Sequence, residues 1–151
     1  MNYYVFVNSR SFDFNDKGVP SLKLSSYRLQ KKVYPLYQRT KYKNLLKPND
    51  SFIFYVAGKR VAMSCSFVAY GLIDEVVANH HYDEDDIHVS SAIEKIVKLK
   101  SIVENKPVSI YLLKDKLSFV SKKPKWGSSM QGGVIQITQD DYNLIINEMN
   151  K

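Results

Sequence analysis

The sequence from Leu112 to Ile145, LLKDKLSFVSKKPKWGSSMQGGVIQITQDDYNLI, contains the features that decide the fold. Trp126, the only tryptophan of the chain, follows a run of lysines and precedes a loop rich in glycine and serine. Such a loop is too small and too flexible to bury an indole ring by itself. We therefore expect Trp126 to pack against another element or to face a ligand.

The end of this stretch predicts a helix. Thr138 is a favourable N-cap residue and Asp141 stands three positions later, so that a reciprocal capping box can form. The acidic side chains of the first turn also favour the positive end of the helix dipole. The apolar residues that follow have helical spacing and predict one docking face, formed by Tyr142, Ile145, Ile146 and Met149.

Other segments predict strands. Tyr3 to Val7, Ser51 to Ala57 and Val61 to Ile73 are rich in aromatic and β-branched residues, which favour strands. The three residues at 58–60 are short enough to be a hairpin connection between the last two of these strands. Ile93 to Ser101 alternates in a way that favours a strand, although a helix remains possible.

Two regions upstream give weaker patterns. Leu36 to Leu46 has a helical pattern, and Pro35 before it is acceptable at a first helical position. Residues 9–33 contain Gly18 and Pro20 among serines and basic residues, which predicts a loop with at most a short helical turn.

Cys65 lies in an apolar run and is expected to be a small buried strand residue. Together the segments predict a mixed, mostly antiparallel sheet curled into a partly open barrel, with helices at its ends.

The length and composition predict one domain over residues 1–151. A chain of this length with 44% hydrophobic residues can bury an ordinary core without a disulfide or a metal. The single cysteine suits a reducing compartment. No stretch approaches the roughly 18 to 20 apolar residues of a membrane span, and the start lacks a signal sequence. We therefore expect a cytoplasmic protein with no membrane partner; its oligomeric state does not follow from the sequence.

The net charge of +7 is unevenly distributed. Between Lys17 and Arg60 there are eleven lysine and arginine residues against one acidic residue, Asp50. Tyrosines are interleaved with these cations, a combination that suits phosphate groups and exposed bases; a solvated surface is the alternative. The predicted contacts to a nucleic-acid backbone are Arg28, Lys31, Lys32, Arg39, Lys41, Lys43, Lys59 and Arg60.

An acidic region follows, with six acidic and no basic residues between Asp74 and Asp86. Its carboxylates and histidines have the composition of a metal site, but their spacing matches no common zinc signature. A solvated loop is the expectation, and a metal-dependent nuclease or nucleotide-processing enzyme is the alternative. No nucleophile elbow or phosphate-binding glycine loop is visible, so we expect neither catalysis nor a cofactor. The cluster consists of His80, His81, Asp83, Glu84, Asp85, Asp86 and His88.

The late segments LKDKLSFV, KPKW, GGVIQI and DYNLI resemble the C-terminal part of EVE-domain proteins. These proteins belong to the PUA-like superfamily and are related to YTH readers. Tyr3 to Val7 is similar to the opening strand of that family, and YPLYQRTKYKNLLKPNDSFIFYVAG (Tyr34 to Gly58) to its helix, tight turn and second strand. Tyr34 stands where many relatives carry tryptophan. The resemblance implies an α+β fold, a PUA-like, partly open β-barrel of mixed, mostly antiparallel strands with peripheral helices.

The resemblance also implies a function. It predicts a non-catalytic module that binds DNA or RNA and reads a modified base, such as methylated or hydroxymethylated cytosine or methyladenine, in an aromatic pocket. Tyr34 and Trp126 are the expected stacking walls, and Phe54 is expected in the core, whereas Tyr55 could belong to either. Binding of a free heterocycle by the same barrel is a weaker alternative. The predicted pocket residues are Asn8, Ser9, Arg10, Tyr34, Tyr37, Tyr55, Trp126 and Gln131, with Asn8, Ser9 and Gln131 at the polar edge of the base.

Overall fold

Nine strands and three helices form the part of the chain that the computed structural model describes, residues 1–9, 11–12, 18–19, 21–38, 40–58, 65–80, 93–120 and 133–151. The helices are α1 (Ser21–Lys31), α2 (Ile110–Leu113) and α3 (Gln139–Met149). The strands are β1 (Tyr3–Asn8), β2 (Ser11–Phe12), β3 (Gly18–Val19), β4 (Val33–Tyr37), β5 (Ser51–Val56), β6 (Ser66–Ala78), β7 (Ile93–Val103), β8 (Val108–Ser109) and β9 (Val134–Ile137).

Seven of the strands form one sheet with the order β4-β7-β6-β5-β1-β9, and β8 pairs with β6. β1 and β5 run parallel, with Phe6 opposite Phe54, whereas the other pairs are antiparallel. β2 and β3 form a separate pair. Both β1 and β5 are buried on their two faces, as expected for central strands covered from both sides. The predicted mixed, mostly antiparallel sheet is confirmed.

The sheet curls until its two edges meet. The Tyr34 hydroxyl, on edge strand β4, donates to the Val7 carbonyl of β1 at 2.6 Å. It also lies 3.1 Å from the carbonyl oxygen of Gly133, the residue before edge strand β9. The Val7 amide donates to the same Gly133 carbonyl at 2.6 Å. These contacts bring β4 against the β1–β9 pair, and the predicted α+β, partly open barrel is confirmed.

Two hydrophobic clusters pack on the two faces of this sheet. Inside the curl, the Phe6 ring stacks on Tyr34 and on Phe52, with ring centroids 4.5 and 5.5 Å apart, and Phe54 is fully buried beside them. Outside, α2 and α3 cover the other face of the sheet. Successive side chains of a strand point to opposite faces, so Phe54 and its neighbour Tyr55 belong to different clusters. Phe54 is a core residue, as predicted.

Helix α3 begins as predicted, with one difference. Thr138 is the N-cap, and its hydroxyl oxygen accepts a hydrogen bond from the Asp141 amide at 3.2 Å. The buried Asp141 carboxylate instead accepts hydrogen bonds from Ser118, whose amide lies 3.1 Å away. The carboxylate therefore ties the turn after α2 to the start of α3 rather than completing a capping box.

The helix predicted from Leu36 to Leu46 is wrong. Val33–Tyr37 is strand β4, and turns follow it in the described residues as far as Leu45. Pro35 lies opposite Ile96 of β7. Proline lacks an amide donor and is tolerated on an edge strand, where one side needs no ladder hydrogen bond. Pro35 is therefore compatible with β4 because β4 ends the sheet.

The loop predicted for residues 9–33 is also wrong, because 11 of these residues form helix α1. The buried face of α1 contains serines and an arginine as well as leucines, and this breaks the apolar period by which amphipathic helices are identified. The part of the prediction that falls on residues 10, 13–17 and 20 lies outside the described residues.

The hairpin between β5 and β6 and the position of Cys65 need correction. The two strands are antiparallel neighbours, but β6 begins at Ser66, so the connection is longer than residues 58–60. The predicted strand start at residues 61–64 lies outside the described residues. Cys65 is a half-buried turn residue with a φ of 57°, not a buried strand residue. The strand predicted from Ile93 to Ser101 is confirmed as β7.

In the described parts of the chain, every helix is too short or too polar to cross a bilayer.

Replacing Tyr34 with phenylalanine should loosen the junction of the sheet edges. The variant loses the hydroxyl that bonds the Val7 carbonyl, and a buried carbonyl that loses its partner costs about 1 to 3 kcal/mol. Urea denaturation should show a lower midpoint with an unchanged slope. Tyr42→Phe is the control, because that ring is 39% exposed and its variant should keep the wild-type midpoint. Equal midpoints for both variants would contradict the proposed closure.

Stability should decline at alkaline pH because of buried tyrosines. Burial raises the pKa of Tyr55, and the neighbouring Cys65 thiol adds to this effect; burial also raises the pKa of Tyr4 and of Tyr142. Above pH of about 10 the unfolded chain releases phenolic protons that the folded chain retains, so the free energy of unfolding falls as pH rises. Tyr55→Phe should make this fall shallower in urea titrations above that pH. Tyr111→Phe, which removes an exposed phenol that contributes only the smallest part of the rise in the Tyr55 pKa, should change it much less.

Candidate functional site

A buried polar cluster lies where β1, α1 and β4 meet at one end of the barrel. Arg28 of α1, only 4% exposed, donates from Nη1 to Asn8 Oδ1 at 3.0 Å and from Nη2 to the Tyr37 hydroxyl at 3.4 Å. Its guanidinium carbon lies 5.3 Å from the centroid of the Tyr34 ring, within cation–π range. We call Asn8, Arg28, Tyr34 and Tyr37 the Arg28 cluster.

The Asn8 side chain orients Arg28. Asn8 is fully buried, and its Nδ2 donates to the carbonyl oxygens of Phe6 and Tyr55, both at 3.3 Å. An amide nitrogen carries two hydrogens, so both donors are used within the protein and Oδ1 is directed at the guanidinium. The Asn8 carbonyl also accepts from the Ala57 amide at 2.9 Å. Asn8 is therefore placed to hold Arg28 rather than to donate to a base.

Helix α1 presents a polar stripe to the same end of the barrel. Ser21, Ser25 and Arg28 are spaced at i, i+4 and i+7, and all three are buried. The Ser21 hydroxyl donates to the Ala57 carbonyl. The Ser25 hydroxyl, in a residue that is 1% exposed, has no hydrogen-bond partner in the part of the chain that the structure describes. Sequence reasoning missed the two serines, although their helical spacing with Arg28 was visible.

The structure separates the three predicted pocket tyrosines. Tyr34 is 3% exposed, with its ring stacked on Phe6, so it belongs to the inner core and borders the cluster through Arg28. Tyr37 is half-buried and is the more accessible of the two rings in β4. The Tyr55 ring packs on Phe67 in the outer cluster, with centroids 5.2 Å apart. Tyr55 contributes its backbone carbonyl to the Arg28 cluster, and its ring lies on the other face of the sheet.

The predicted backbone cations have different surroundings. Arg28 is buried, and a guanidinium in that position does not present a surface charge to phosphate groups. Lys43 forms an ion pair with Glu94 at 2.6 Å, and the pair lowers the pKa of Glu94. Among the members of the predicted set that the structure describes, Lys31, Lys32 and Lys41 are exposed.

Several predicted site residues lie outside the described residues. They are Arg10, Trp126 and Gln131 of the pocket, Arg39, Lys59 and Arg60 of the basic surface, and all of the acidic cluster from His81 to His88. Ser9 is exposed directly after β1, and His80 is exposed after β6. Among the described residues, no group of three or more histidine, cysteine or acidic side chains is arranged to hold a metal ion.

Comparison with known proteins adds one relative in sequence. The chain is 24% identical over 106 residues to the UPF0310 protein in gntR 5'region of Bacillus licheniformis, and the match covers 70% of each protein. No protein-family model matches the sequence.

Three solved structures share the fold at low sequence identity. The Mmi1 YTH domain, solved in complex with RNA, has a TM-score of 0.56 at 8% identity, over 99% of this chain and 77% of that one. Rpa0253 from Rhodopseudomonas palustris has a TM-score of 0.55 at 11% identity, over 99% and 94%. Atu2648 from Agrobacterium tumefaciens has a TM-score of 0.53 at 15% identity, over 98% and 92%. The fold is therefore the YTH/PUA-like half-barrel that the sequence resemblance implied.

Proposed function

We propose that this chain is a non-catalytic, single-domain nucleic-acid-binding module that reads a modified base at the end of the barrel formed by β1, α1 and β4. The observation that carries the proposal is the Arg28 cluster, a buried guanidinium held by Asn8 and Tyr37 at that end. We further propose that the chain is an EVE-type member of the PUA-like superfamily and acts in the cytoplasm.

The cluster suits recognition of a planar heterocycle. A guanidinium is flat and carries its N–H donors in one plane, so it can hydrogen-bond to the edge of a base or stack on its face. The bonds to Asn8 and Tyr37 fix that plane before a ligand arrives. Preorganised polar groups lose less freedom on binding, which favours selectivity. We expect Ser9 and Tyr37 to border the ligand together with Arg10, Trp126 and Gln131.

The surface charge suits a nucleic-acid strand. Exposed Lys31 ends helix α1, exposed Lys32 follows it, and Lys41 follows strand β4, so cations flank the elements that form the cluster. Cations of this kind position phosphate groups without reading sequence. The fold is shared with a domain that was solved bound to RNA, which supports the same class of partner here. Selectivity would come from the base site and affinity from the lysines.

Binding to matched oligonucleotides tests the proposal. DNA and RNA strands that differ only in one methylcytosine, hydroxymethylcytosine or methyladenine would be titrated at near-physiological salt. One buried methyl contributes about 0.8 kcal/mol, so we expect at least a several-fold preference for one modification. Arg28→Lys, which cannot form the planar pair of bonds, should reduce that preference, with circular dichroism to show that the variant is folded.

Lys31→Ala is the matched control. Loss of an exposed phosphate contact should weaken binding to all oligonucleotides equally and reduce the salt dependence, while the preference for the modified base persists. Equal, weak and salt-sensitive binding to every oligonucleotide by the wild-type protein would contradict base reading. Binding or strand cleavage that a chelator abolishes would instead support the metal-dependent alternative at the acidic cluster.

A further inference from the structure

Ser25 differs from Ser21 in a way that the fold does not explain. Both serines are 1% exposed and lie one turn apart on the buried face of α1. The Ser21 hydroxyl donates to the Ala57 carbonyl, whereas the Ser25 hydroxyl has no partner among the described residues. A buried hydroxyl without a hydrogen bond destabilises the folded state. Alanine would avoid that cost and has the higher helix propensity.

The position of Ser25 relates this hydroxyl to the Arg28 cluster. Residues three apart on a helix are neighbours on its surface, so Ser25 and Arg28 lie side by side on the buried face of α1. A guanidinium only donates hydrogen bonds, whereas a serine hydroxyl rotates and can donate or accept. Beside the positive charge of Arg28, the favourable orientation of the Ser25 hydroxyl dipole has its oxygen toward the guanidinium and its proton away from it. In that orientation the hydroxyl is a hydrogen-bond donor.

We propose that Ser25 is a specificity-determining residue whose hydroxyl, beside Arg28, donates to a carbonyl oxygen of the bound base. This inference rests on the proposed function. A serine hydroxyl that is oriented as a donor at the end of the barrel requires an acceptor on the ligand. Cytosine, uracil, thymine and guanine carry a ring carbonyl oxygen, and adenine carries none. The site is therefore expected to take a modified oxo base, such as methylcytosine or hydroxymethylcytosine, in preference to methyladenine.

Ser25→Ala separates a ligand-binding role from a structural one. If the hydroxyl serves a ligand, the variant should unfold at the same or a higher urea concentration than the wild type. Its affinity for an oligonucleotide with methylcytosine should fall by about five- to tenfold, the effect of losing one hydrogen bond. Its affinity for the matched methyladenine oligonucleotide should not change. A variant that is more stable and binds less well is not expected of a residue that only packs.

Two neighbouring serines serve as controls. Ser21→Ala removes a hydroxyl that is satisfied within the protein, so it should lower the unfolding midpoint. Ser26→Ala changes an exposed residue of the same helix and should alter neither stability nor binding. The three variants together distinguish a general effect on α1 from a specific effect at Ser25.

The outcomes separate this inference from the function on which it rests. Reduced stability of Ser25→Ala with unchanged affinity would overturn the role of the hydroxyl and leave base reading intact. A wild-type preference for methyladenine would overturn the oxo-base assignment, again without touching the proposed module. A wild-type protein that discriminates between none of the modified and unmodified strands would overturn both.

Discussion

The contact between Tyr34 and β1 is the interaction on which the rest of the structure depends. Its hydroxyl joins edge strand β4 to the Val7 carbonyl while its ring stacks on Phe6, so one side chain supplies both a hydrogen bond and apolar contact at the junction. An open twisted sheet would expose the inner aromatic cluster and leave α1 without a surface to pack on. With the edges together, the barrel has a defined end, and Arg28 is buried there.

The parallel pairing of β1 and β5 explains why the polar groups converge at that end. Parallel strands finish on the same side of a sheet, so Asn8 and Ala57 are adjacent and bonded through their backbones at 2.9 Å. Helix α1 then reaches both strands, through Ser21 to Ala57 and through Arg28 to Asn8. Ligands of open α/β sheets commonly bind at the carboxyl ends of parallel strands, and here one parallel pair produces the same concentration of polar groups.

The sequence predicted those elements whose local pattern agrees with their environment. β1 and β5 are dominated by β-branched and aromatic residues, β7 has the alternation of a strand, and α3 has a good N-cap, so all were found. β4 and α1 were missed because their tertiary context outweighs their local sequence pattern. β4 lies at the edge of the sheet, where Pro35 is tolerated, and the buried face of α1 is partly polar. Arg28 was assigned to phosphate contact from charge alone, since nothing local distinguishes a buried arginine from an exposed one.

Two departures from ordinary folding rules lie side by side on α1. A buried guanidinium costs desolvation that hydrogen bonds recover only in part, and the Ser25 hydroxyl, buried beside it without a partner among the described residues, adds to that cost. Ser25 and Arg28 lie on the same buried face of α1 as Leu24 and Leu29. Proteins tend to break local rules at functional sites and to stabilise themselves elsewhere, here through the two hydrophobic clusters. The same residues that made α1 hard to predict are therefore the ones we assign to ligand recognition.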